Sequence, residues 1–200
     1  MNVYDIDNTL YDGESTLDFY IFCVKRHPRL LKYILLIIFN LVRYKLCLIS
    51  FEKFEYLTKK YTPGVVECCP DIKELSEKFW EKNAHKLKDF YKDVKKDDDV
   101  IVTASFDVVV APALRRLGFC DMQRVVCSQL FIESKSAGNL CFGKNKINMF
   151  KERFSQSTVQ DFYTDSLNDK PFMSLATKDV YIVRKNTVKK YMLKNTERNA

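Results

Sequence analysis

The chain has 200 residues and a mass of 23.6 kDa, which is enough for one domain or for a core domain with an insertion. Hydrophobic residues make up 46% of it and charged residues 30%, which excludes a disordered, collagen-like or disulfide-scaffold protein. The formal net charge of +7 is unevenly distributed, because residues 1–14 carry −4 whereas residues 15–51 and 184–200 carry +5 each. An acidic start followed by a basic, apolar segment is the feature that a function has to explain.

The first residues and the cysteines bear on the compartment in which the protein is found. A secretory signal begins with basic residues and continues into an apolar run, whereas this chain reaches Asp5 and Asp7 at once, so we expect no signal peptide. The seven cysteines are odd in number, no C-x-x-C pair occurs, and neither histidine lies near them at the spacing of a zinc site. We therefore expect reduced thiols in a cytoplasmic protein.

The predicted elements begin with a short strand and a helical block. They are a strand over 2–6, helices over 15–25, 29–49 and 51–61, and a long charged helix over 70–92. Ser15 is the expected N-cap of the first helix, Pro28 introduces the second, and Thr62-Pro63-Gly64 ends the third.

The pattern changes after the charged run at 95–99. Strands are predicted over 100–103, 124–130, 159–164 and 180–183, helices over 106–117 and 144–154, and a hairpin turn over 136–139. This order predicts an α/β fold with a helical insertion after the first strand.

Polar side chains that can carry chemistry follow several of these strands. They are Asp5, Asp7, Thr103, Asp165 and Asp169. In an open α/β sheet, ligands bind beyond the carboxyl ends of the strands, so we expect these side chains to converge. Four carboxylates would repel one another unless a cation lay among them, and hard oxygen ligands favour magnesium.

The Asp5–Asp7 pair has two alternatives when it is taken alone. A calcium loop needs Gly and Glu at the positions of Leu10 and Thr16, so that interpretation fails. An acidic surface turn remains an equal alternative on this motif alone, since short motifs often occur by chance.

Four short motifs together carry more information than the acidic pair. They are DIDNT over 5–9, VTAS over 102–105, CFGKNK over 141–146 and DSLND over 165–169. This set resembles that of the haloacid dehalogenase-like (HAD) phosphatase superfamily, over residues 3 to about 184. The spacing C-x-G-x-x-K and the run YTDSLND are most similar to the phosphoserine-phosphatase-like branch, subfamily IB.

The resemblance implies a Rossmann-like three-layer core with a mainly parallel sheet, formed by 1–14 and 97–200, and a helical cap formed by 15–96. It also implies a magnesium-dependent phosphatase that works through an aspartyl-phosphate, with Asp5 as nucleophile and Asp7 as general acid and base. The acidic residue at position 7 favours phosphate esters as substrates, because dehalogenases and phosphonatases lack an acidic residue at the matching position.

The remaining roles also follow from the resemblance. Magnesium would be held by Asp5, the Asp7 carbonyl and Asp165, with Asp169 anchoring its water shell. The residues expected to bind phosphoryl oxygens or substrate are Thr103, Ala104 and Ser105. A lysine would neutralise the transition state, and the C-x-G-x-x-K spacing favours Lys146, while Lys144 could instead be a solvated helix-start residue.

Glu14 is the candidate for substrate selection. It stands nine residues after Asp5, where phosphoserine phosphatases place a glutamate that binds the substrate's amino group. A solvated acid at a helix start is the alternative.

The apolar segment 30–50 has two interpretations. Its longest uncharged run, 33–42, is well short of the ~20 residues that span a bilayer, so we do not expect it to cross one. A helix here can pack in the core of the cap, or it can lie in a membrane interface with Arg29, Lys32 and Arg43 near anionic headgroups. Phosphatidylglycerophosphate phosphatases of the same branch are similar, with an apolar helix after a basic start comparable with 25–28.

The C-terminal tail is basic. Its cationic side chains include Lys185, Lys189, Lys190, Lys194 and Arg198. They either add headgroup contacts or belong to a disordered, solvated end.

The sequence therefore predicts a cytoplasmic, magnesium-dependent phosphatase acting on a small phosphorylated metabolite. One alternative is a phospholipid-phosphate phosphatase in peripheral contact with an anionic membrane. Another is a module that binds a phosphorylated ligand without catalysis, although such a module needs no nucleophile. Nucleic acid is not an expected partner, because no stacking motif or basic groove accompanies the basic patches.

Overall fold

The computed structural model describes residues 1–185 and 187–192, in which the strands form one large sheet and one hairpin. The strands are β1 (Val3–Tyr4), β2 (Val100–Phe106), β3 (Val125–Ser128), β4 (Leu130–Phe131), β5 (Ser136–Ala137), β6 (Phe162–Thr164), β7 (Val180–Arg184) and β8 (Thr187–Tyr191). In the described residues the large sheet has the order β3-β2-β1-β6-β7-β8. Its neighbours are parallel except for the antiparallel pair β7–β8, and β4 pairs with β5.

Helices connect the strands and cover the sheet. They are α1 (Ser15–Val24), α2 (Leu31–Lys45), α3 (Phe51–Cys68), α4 (Ile72–Asn83), α5 (Phe90–Val94), α6 (Asp107–Arg116), α7 (Lys144–Arg153) and α8 (Lys170–Met173). The first five lie between β1 and β2 in the chain. The predicted Rossmann-like α/β fold with a mainly parallel sheet is confirmed.

Side chains that alternate along each strand supply both faces of the sheet with apolar residues. Val3, Val100 and Val102 belong to one buried apolar cluster, and their neighbours Tyr4 and Ile101 belong to another. Successive side chains of a strand point to opposite faces, so these continuous apolar runs supply both faces at once. The result is a central sheet between two apolar layers.

The parallel pairing also fixes where the polar residues gather. Val3 of β1 pairs with Val100 of β2 on one side and with Phe162 of β6 on the other. The three strands therefore run in the same direction and end at the same edge. The DIDNT, VTAS and DSLND motifs meet there.

Helix α3 continues where the sequence predicts its end. It runs through Pro63 and Gly64 to Cys68, so the prediction that Thr62-Pro63-Gly64 closes it is wrong. The Thr62 hydroxyl donates to the carbonyl of Thr58, and Val65 and Val66 are buried. Burial of the last turn outweighs the backbone hydrogen bond that proline removes.

The long charged helix predicted over 70–92 is also interrupted. Helix α4 ends at Asn83, whose side-chain amide donates to the carbonyl of Phe79. Leu87 then forms an antiparallel bridge with Tyr11, and Lys88 donates its backbone N–H to Leu10. A tertiary pairing with the loop after β1 replaces the helix.

Smaller differences occur later in the chain. The predicted turn over 136–139 lies at 132–135, because 136–137 form strand β5. The strand predicted over 159–164 is shortened to 162–164, and the basic tail forms the strand β8, which no pattern predicted. Lys190 there pairs with Asp179 at 2.7 Å, while Lys194 and Arg198 lie outside the described residues.

Helix α2 turns much of its apolar surface outward. It buries Ile34 and Asn40, and its exposed large apolar residues are Leu31, Leu35, Leu36, Ile38, Phe39 and Val42. Asn40 is buried, and its side-chain amide donates to the carbonyl of Leu36. Among the described residues, no helix has the combination of length and apolarity that crossing a bilayer requires.

The contact between Gly64 and Tyr33 provides a test of the α2–α3 packing. A Cβ at position 64 would overlap the Tyr33 ring, so Gly64→Ala should destabilise the protein by about 1–3 kcal/mol despite the better helix propensity of alanine. Denaturant unfolding measures this loss. In a Tyr33→Leu background the same change should be neutral or stabilising, and an unchanged penalty there would contradict the packing.

Candidate active site

Asp5 lies directly beyond β1 and is almost enclosed. Its backbone N–H donates to the carbonyl of Tyr163 (3.0 Å), which extends the β1–β6 pairing by one residue, and only 8% of the residue is exposed. The carbonyl of Ile6 then accepts from the N–H groups of Leu10 and Tyr11, so the chain turns away after Asp5. The turn leaves the Asp5 carboxylate at the edge of the sheet.

Lys146 faces Asp5 from the first turn of α7. Its Nζ lies 3.0 Å from Asp5 Oδ1 and 3.7 Å from Asp169 Oδ2, and it is buried. Lys144 is exposed. Gly143 precedes the helix with a φ of +57°, a left-handed conformation that suits glycine. The structure thus brings Lys146, rather than Lys144, to Asp5.

Burial and neighbouring charges perturb both partners of this pair. Burial raises the pKa of Asp5 to about 7, against the opposing effect of Lys146, and Asp169 and Asp7 contribute to the rise. Burial alone would lower the pKa of Lys146, but the carboxylates of Asp5 and Asp169 outweigh it and raise that pKa. The ammonium group is therefore held in its charged form.

The Asp7 carboxylate is held by two hydrogen bonds. The backbone N–H of Ser15 donates to Oδ1 (2.7 Å), and the Ser105 hydroxyl donates to Oδ2 (3.0 Å). Thr16 donates to Ser105 Oγ (2.7 Å). Helix α1 begins at Ser15, and the side chain of Glu14, the N-cap residue, makes no capping bond, so the predicted N-cap at Ser15 is wrong by one residue. Asp7 instead satisfies one of the free N–H groups of the first turn.

Sequence reasoning gave Ser15 only a capping role and did not place Ser15 or Thr16 beside Asp7. The signal was available, because two hydroxyl residues follow an acid at a predicted helix start shortly after the DIDNT motif. Ser15 Oγ also lies 2.9 Å from Ser105 Oγ. A small network of hydroxyl groups therefore surrounds Asp7.

The end of β2 supplies the next candidate residues. Thr103 is fully buried, and its Oγ1 accepts from the backbone N–H of Ser105 (3.2 Å). Ala104 is half-buried, and its carbonyl accepts from the Ser128 hydroxyl (2.8 Å). Ser105, predicted as a substrate-binding residue, faces Asp7 in this structure.

The DSLND segment lies beyond β6. The Thr164 hydroxyl donates to Asp169 Oδ2 (2.7 Å), which places that carboxylate beside Lys146. Asp165 is half-buried, and burial, followed by the charge of Asp169, raises its pKa. Both acids of the motif therefore share the edge of the sheet with Asp5.

Glu14 lies at the rim of this group. Its Oε1 accepts from the side-chain amide of Asn8 (2.8 Å). Partial burial raises its pKa, and the charges of Asp7 and Asp165 add to the rise. The carboxylate is thus tied to the loop after β1.

Lys88 is a buried cation that the sequence did not reveal. Its Nζ donates to the carbonyl of Asn8 (2.5 Å), and Asn8 has a φ of +56°. Burial lowers the pKa of Lys88, while the charges of Asp12 and Asp165 oppose the shift. The predicted helix over 70–92 concealed this role, because Lys88 turns inward only after the helix has ended.

Aromatic residues connect the helical insertion to the CFGKNK motif. The Tyr44 ring of α2 stacks on Phe54 of α3 at 5.7 Å between centroids and meets Phe142 edge-on at 5.9 Å. A Cβ at Gly143 would come 3.4 Å from the Tyr44 hydroxyl oxygen. The C-terminal end of α2 therefore lies over the loop that leads to Lys146.

The residues at this edge fit a divalent cation. The carboxylates of Asp5, Asp7, Asp165 and Asp169 outnumber the single positive charge of Lys146. Burial is the main cause of the raised pKa values of Asp5 and Asp165, and the charges of neighbouring carboxylates add to both. The donors are hard oxygen atoms, which magnesium prefers. Asp5, the Asp7 carbonyl and Asp165 could hold such an ion, with Asp169 next to it.

Comparison with solved structures supports the fold. A protein of unknown function from Bordetella pertussis Tohama I is 18% identical, with a TM-score of 0.64 over 86% of this chain and 84% of that chain. A phosphoserine phosphohydrolase-like protein from Francisella tularensis subsp. tularensis SCHU S4 is 15% identical, with a TM-score of 0.57 over 90% of this chain and 86% of that chain. At these identities the likeness shows the fold alone.

Comparison of the sequence with protein-family models identifies the family of this chain. No curated protein matches the chain. A family model of the haloacid dehalogenase-like hydrolases matches residues 3–174, which is most of its length, and this supports a phosphatase. The resemblance drawn from the four motifs is thereby confirmed, and the chain belongs to the haloacid dehalogenase-like hydrolase family.

Proposed function

We propose that the protein hydrolyses a phosphate monoester of a small metabolite through an aspartyl-phosphate on Asp5. The observation that carries this proposal is the Asp5–Lys146 pair at 3.0 Å, beside an Asp7 carboxylate held by its own donors. The description of the Francisella protein as phosphoserine phosphohydrolase-like supports the same class of reaction.

In the first step, a carboxylate oxygen of Asp5 attacks phosphorus and the bond to the leaving oxygen breaks. Asp7 donates a proton to that oxygen. Lys146 remains charged beside Asp5 and offsets negative charge on the phosphoryl group. Thr103 and the Ala104 amide are the proposed ligands of the phosphoryl oxygens.

In the second step, Asp7 removes a proton from water, and the resulting hydroxide attacks the aspartyl-phosphate. The bond between phosphorus and Asp5 breaks, and inorganic phosphate leaves. Ser105 suits both states of Asp7, because a hydroxyl can donate to the carboxylate or accept from the protonated acid. The Thr16 hydroxyl, which donates to Ser105, supports either arrangement.

Magnesium is the proposed cofactor at the oxygen-rich edge described above. When bound, it would shield the Asp5 carboxylate from the charge of the substrate phosphate. Asp5, the Asp7 carbonyl and Asp165 would bind it directly, and Asp169 would hold its water shell.

Residues 15–96 are proposed to act as the cap over a catalytic core formed by 1–14 and 97–200. The contact of Tyr44 with Phe142 supports this division, since it brings α2 over the site. A cap that excludes water protects the aspartyl-phosphate from uncontrolled hydrolysis. Glu14, at the rim between the two parts, is the proposed substrate-binding residue.

Replacement of the nucleophile tests the proposal directly. Asp5→Asn should lower kcat on an aryl phosphate by at least about a thousandfold, whereas Asp12→Asn, in an exposed part of the same loop, should stay near wild type. Chelation should abolish wild-type activity, and added magnesium should restore it. Activity retained by Asp5→Asn would reject the mechanism, and an inactive wild type that still binds phosphate would favour the non-catalytic module.

Ser105 is the proposed positioning residue for Asp7. Ser105→Ala should lower kcat about tenfold to a hundredfold on an alkyl phosphate, with little change in KM, because Asp7 loses one of its two donors. An aryl phosphate, whose leaving oxygen needs less protonation, should be affected less. The matched control is Ser76→Ala, a buried serine that donates to Val108. Equal losses on both substrates would contradict a role through Asp7.

A second candidate function is favoured by the outward face of α2. Phe39 is 60% exposed, Leu35 is 57% exposed, and the exposed cations Lys32 and Lys45 flank this surface. An apolar face with basic flanks matches an anionic membrane surface. The same catalytic residues would then act on a phospholipid phosphate, such as phosphatidylglycerophosphate.

Binding to vesicles distinguishes a phospholipid substrate from a dissolved one. If the second candidate is correct, the protein should float with vesicles that contain anionic lipid, and Leu35→Asp with Phe39→Asp should abolish flotation. Phe131→Asp, an exposed aromatic on β4, is the control and should bind like wild type. Absence of flotation by the wild type would eliminate the membrane candidate and leave a dissolved substrate.

A further inference from the structure

A second group of metal-binding side chains lies among the helices between β1 and β2. His27 Nε2 is 2.7 Å from Asp71 Oδ1, and Cys69 Sγ is 3.9 Å from the same oxygen. The three ligand atoms lie within 4.8 Å of one another. Tetrahedral zinc holds such atoms roughly 3.3–3.8 Å apart, so small side-chain rotations would suffice.

A fourth donor adjoins this group. Cys23 is buried, and its thiol adjoins and interacts with that of Cys69. The backbone N–H of His27 donates to the carbonyl of Cys23 (2.8 Å), so one turn of chain presents both side chains. Two sulfur atoms, one imidazole and one carboxylate make a set that suits zinc better than magnesium or calcium.

The surroundings of the group also favour a ligand role. Asp71 is the N-cap residue of α4, yet its side chain makes no capping bond and turns to His27 instead. The partly exposed Asp71 carboxylate therefore lies between His27 and the buried Cys69.

We propose that His27, Cys69 and Asp71, with Cys23 as the fourth ligand, form a structural zinc site. Cys23 lies in the last turn of α1, Cys69 is the C-cap residue of α3, and Asp71 is the N-cap residue of α4. A bound ion would join three helix ends that are otherwise linked by packing. The site is separate from the carboxylates at the end of β1 and does not depend on the proposed phosphatase activity.

The sequence argued against a zinc site because no C-x-x-C pair is present. The ligands instead come as Cys23-x-x-x-His27 and Cys69-x-Asp71. Each half is too short to be recognised alone, and only the packing of α1 against the α3–α4 junction brings the halves together.

Cobalt(II) provides a direct test, because its bond to a thiolate gives a charge-transfer absorption that carboxylate sites lack. The full-length protein, reduced and freed of metal, should develop this band with one equivalent of cobalt and lose it when zinc is added. His27→Gln, Cys69→Ser and Asp71→Asn should each weaken zinc binding by at least about tenfold. Cys68→Ser, which changes the neighbouring thiol, and Asp5→Asn should retain the band.

The design distinguishes loss of a ligand from loss of the fold. His27 and Asp71 are partly exposed, so their variants test the site even if Cys69→Ser fails to fold. Absence of the band in the folded wild type, or its persistence in His27→Gln and Asp71→Asn, would overturn the site. Full affinity in Cys23→Ser would overturn the assignment of the fourth ligand.

Discussion

Concentrated negative charge at the end of β1 is the constraint on which the rest of the structure depends. A buried carboxylate without a partner costs several kcal/mol, and here Asp5 is surrounded by further acids. Lys146 has to be buried to compensate the charge of Asp5, so α7 must begin close to the sheet. The positive φ of Gly143 makes that start possible. The same excess of negative charge explains why this edge suits a cation, and an anionic phosphoryl group would need that cation and Lys146 beside it.

Much of the core could be predicted from the sequence because local and global signals agree there. The runs Val100-Ile101-Val102 and Phe162-Tyr163 are apolar at every position, as strands covered on both faces must be. Parallel strands then bring their carboxyl ends to one edge, so motifs far apart in the chain could be assigned to one site. The C-x-G-x-x-K spacing of the similar family favoured Lys146 over Lys144, and Lys146 is the lysine that lies next to Asp5.

The parts that could not be predicted depend on contacts between distant segments. Pro63 stays inside a helix because Val65 and Val66 in its last turn are buried, and nothing in the local sequence reports that burial. Lys88 has the appearance of a solvated residue in a charged helix until the bridge between Leu87 and Tyr11 turns the chain. Tertiary packing overrides local propensity in both cases.

The bond between Asp7 and the first N–H of α1 links the chemistry to the geometry of substrate entry. Asp7, the proposed proton donor, is joined to the first helix of the insertion, so α1 could not move outward without stretching that bond or carrying Asp7 along. An open form would then hold a misaligned acid, and alignment would return only on closure. Under the proposed mechanism, such a coupling would set the timing of the reaction, because the leaving group would be protonated only while the cap is closed.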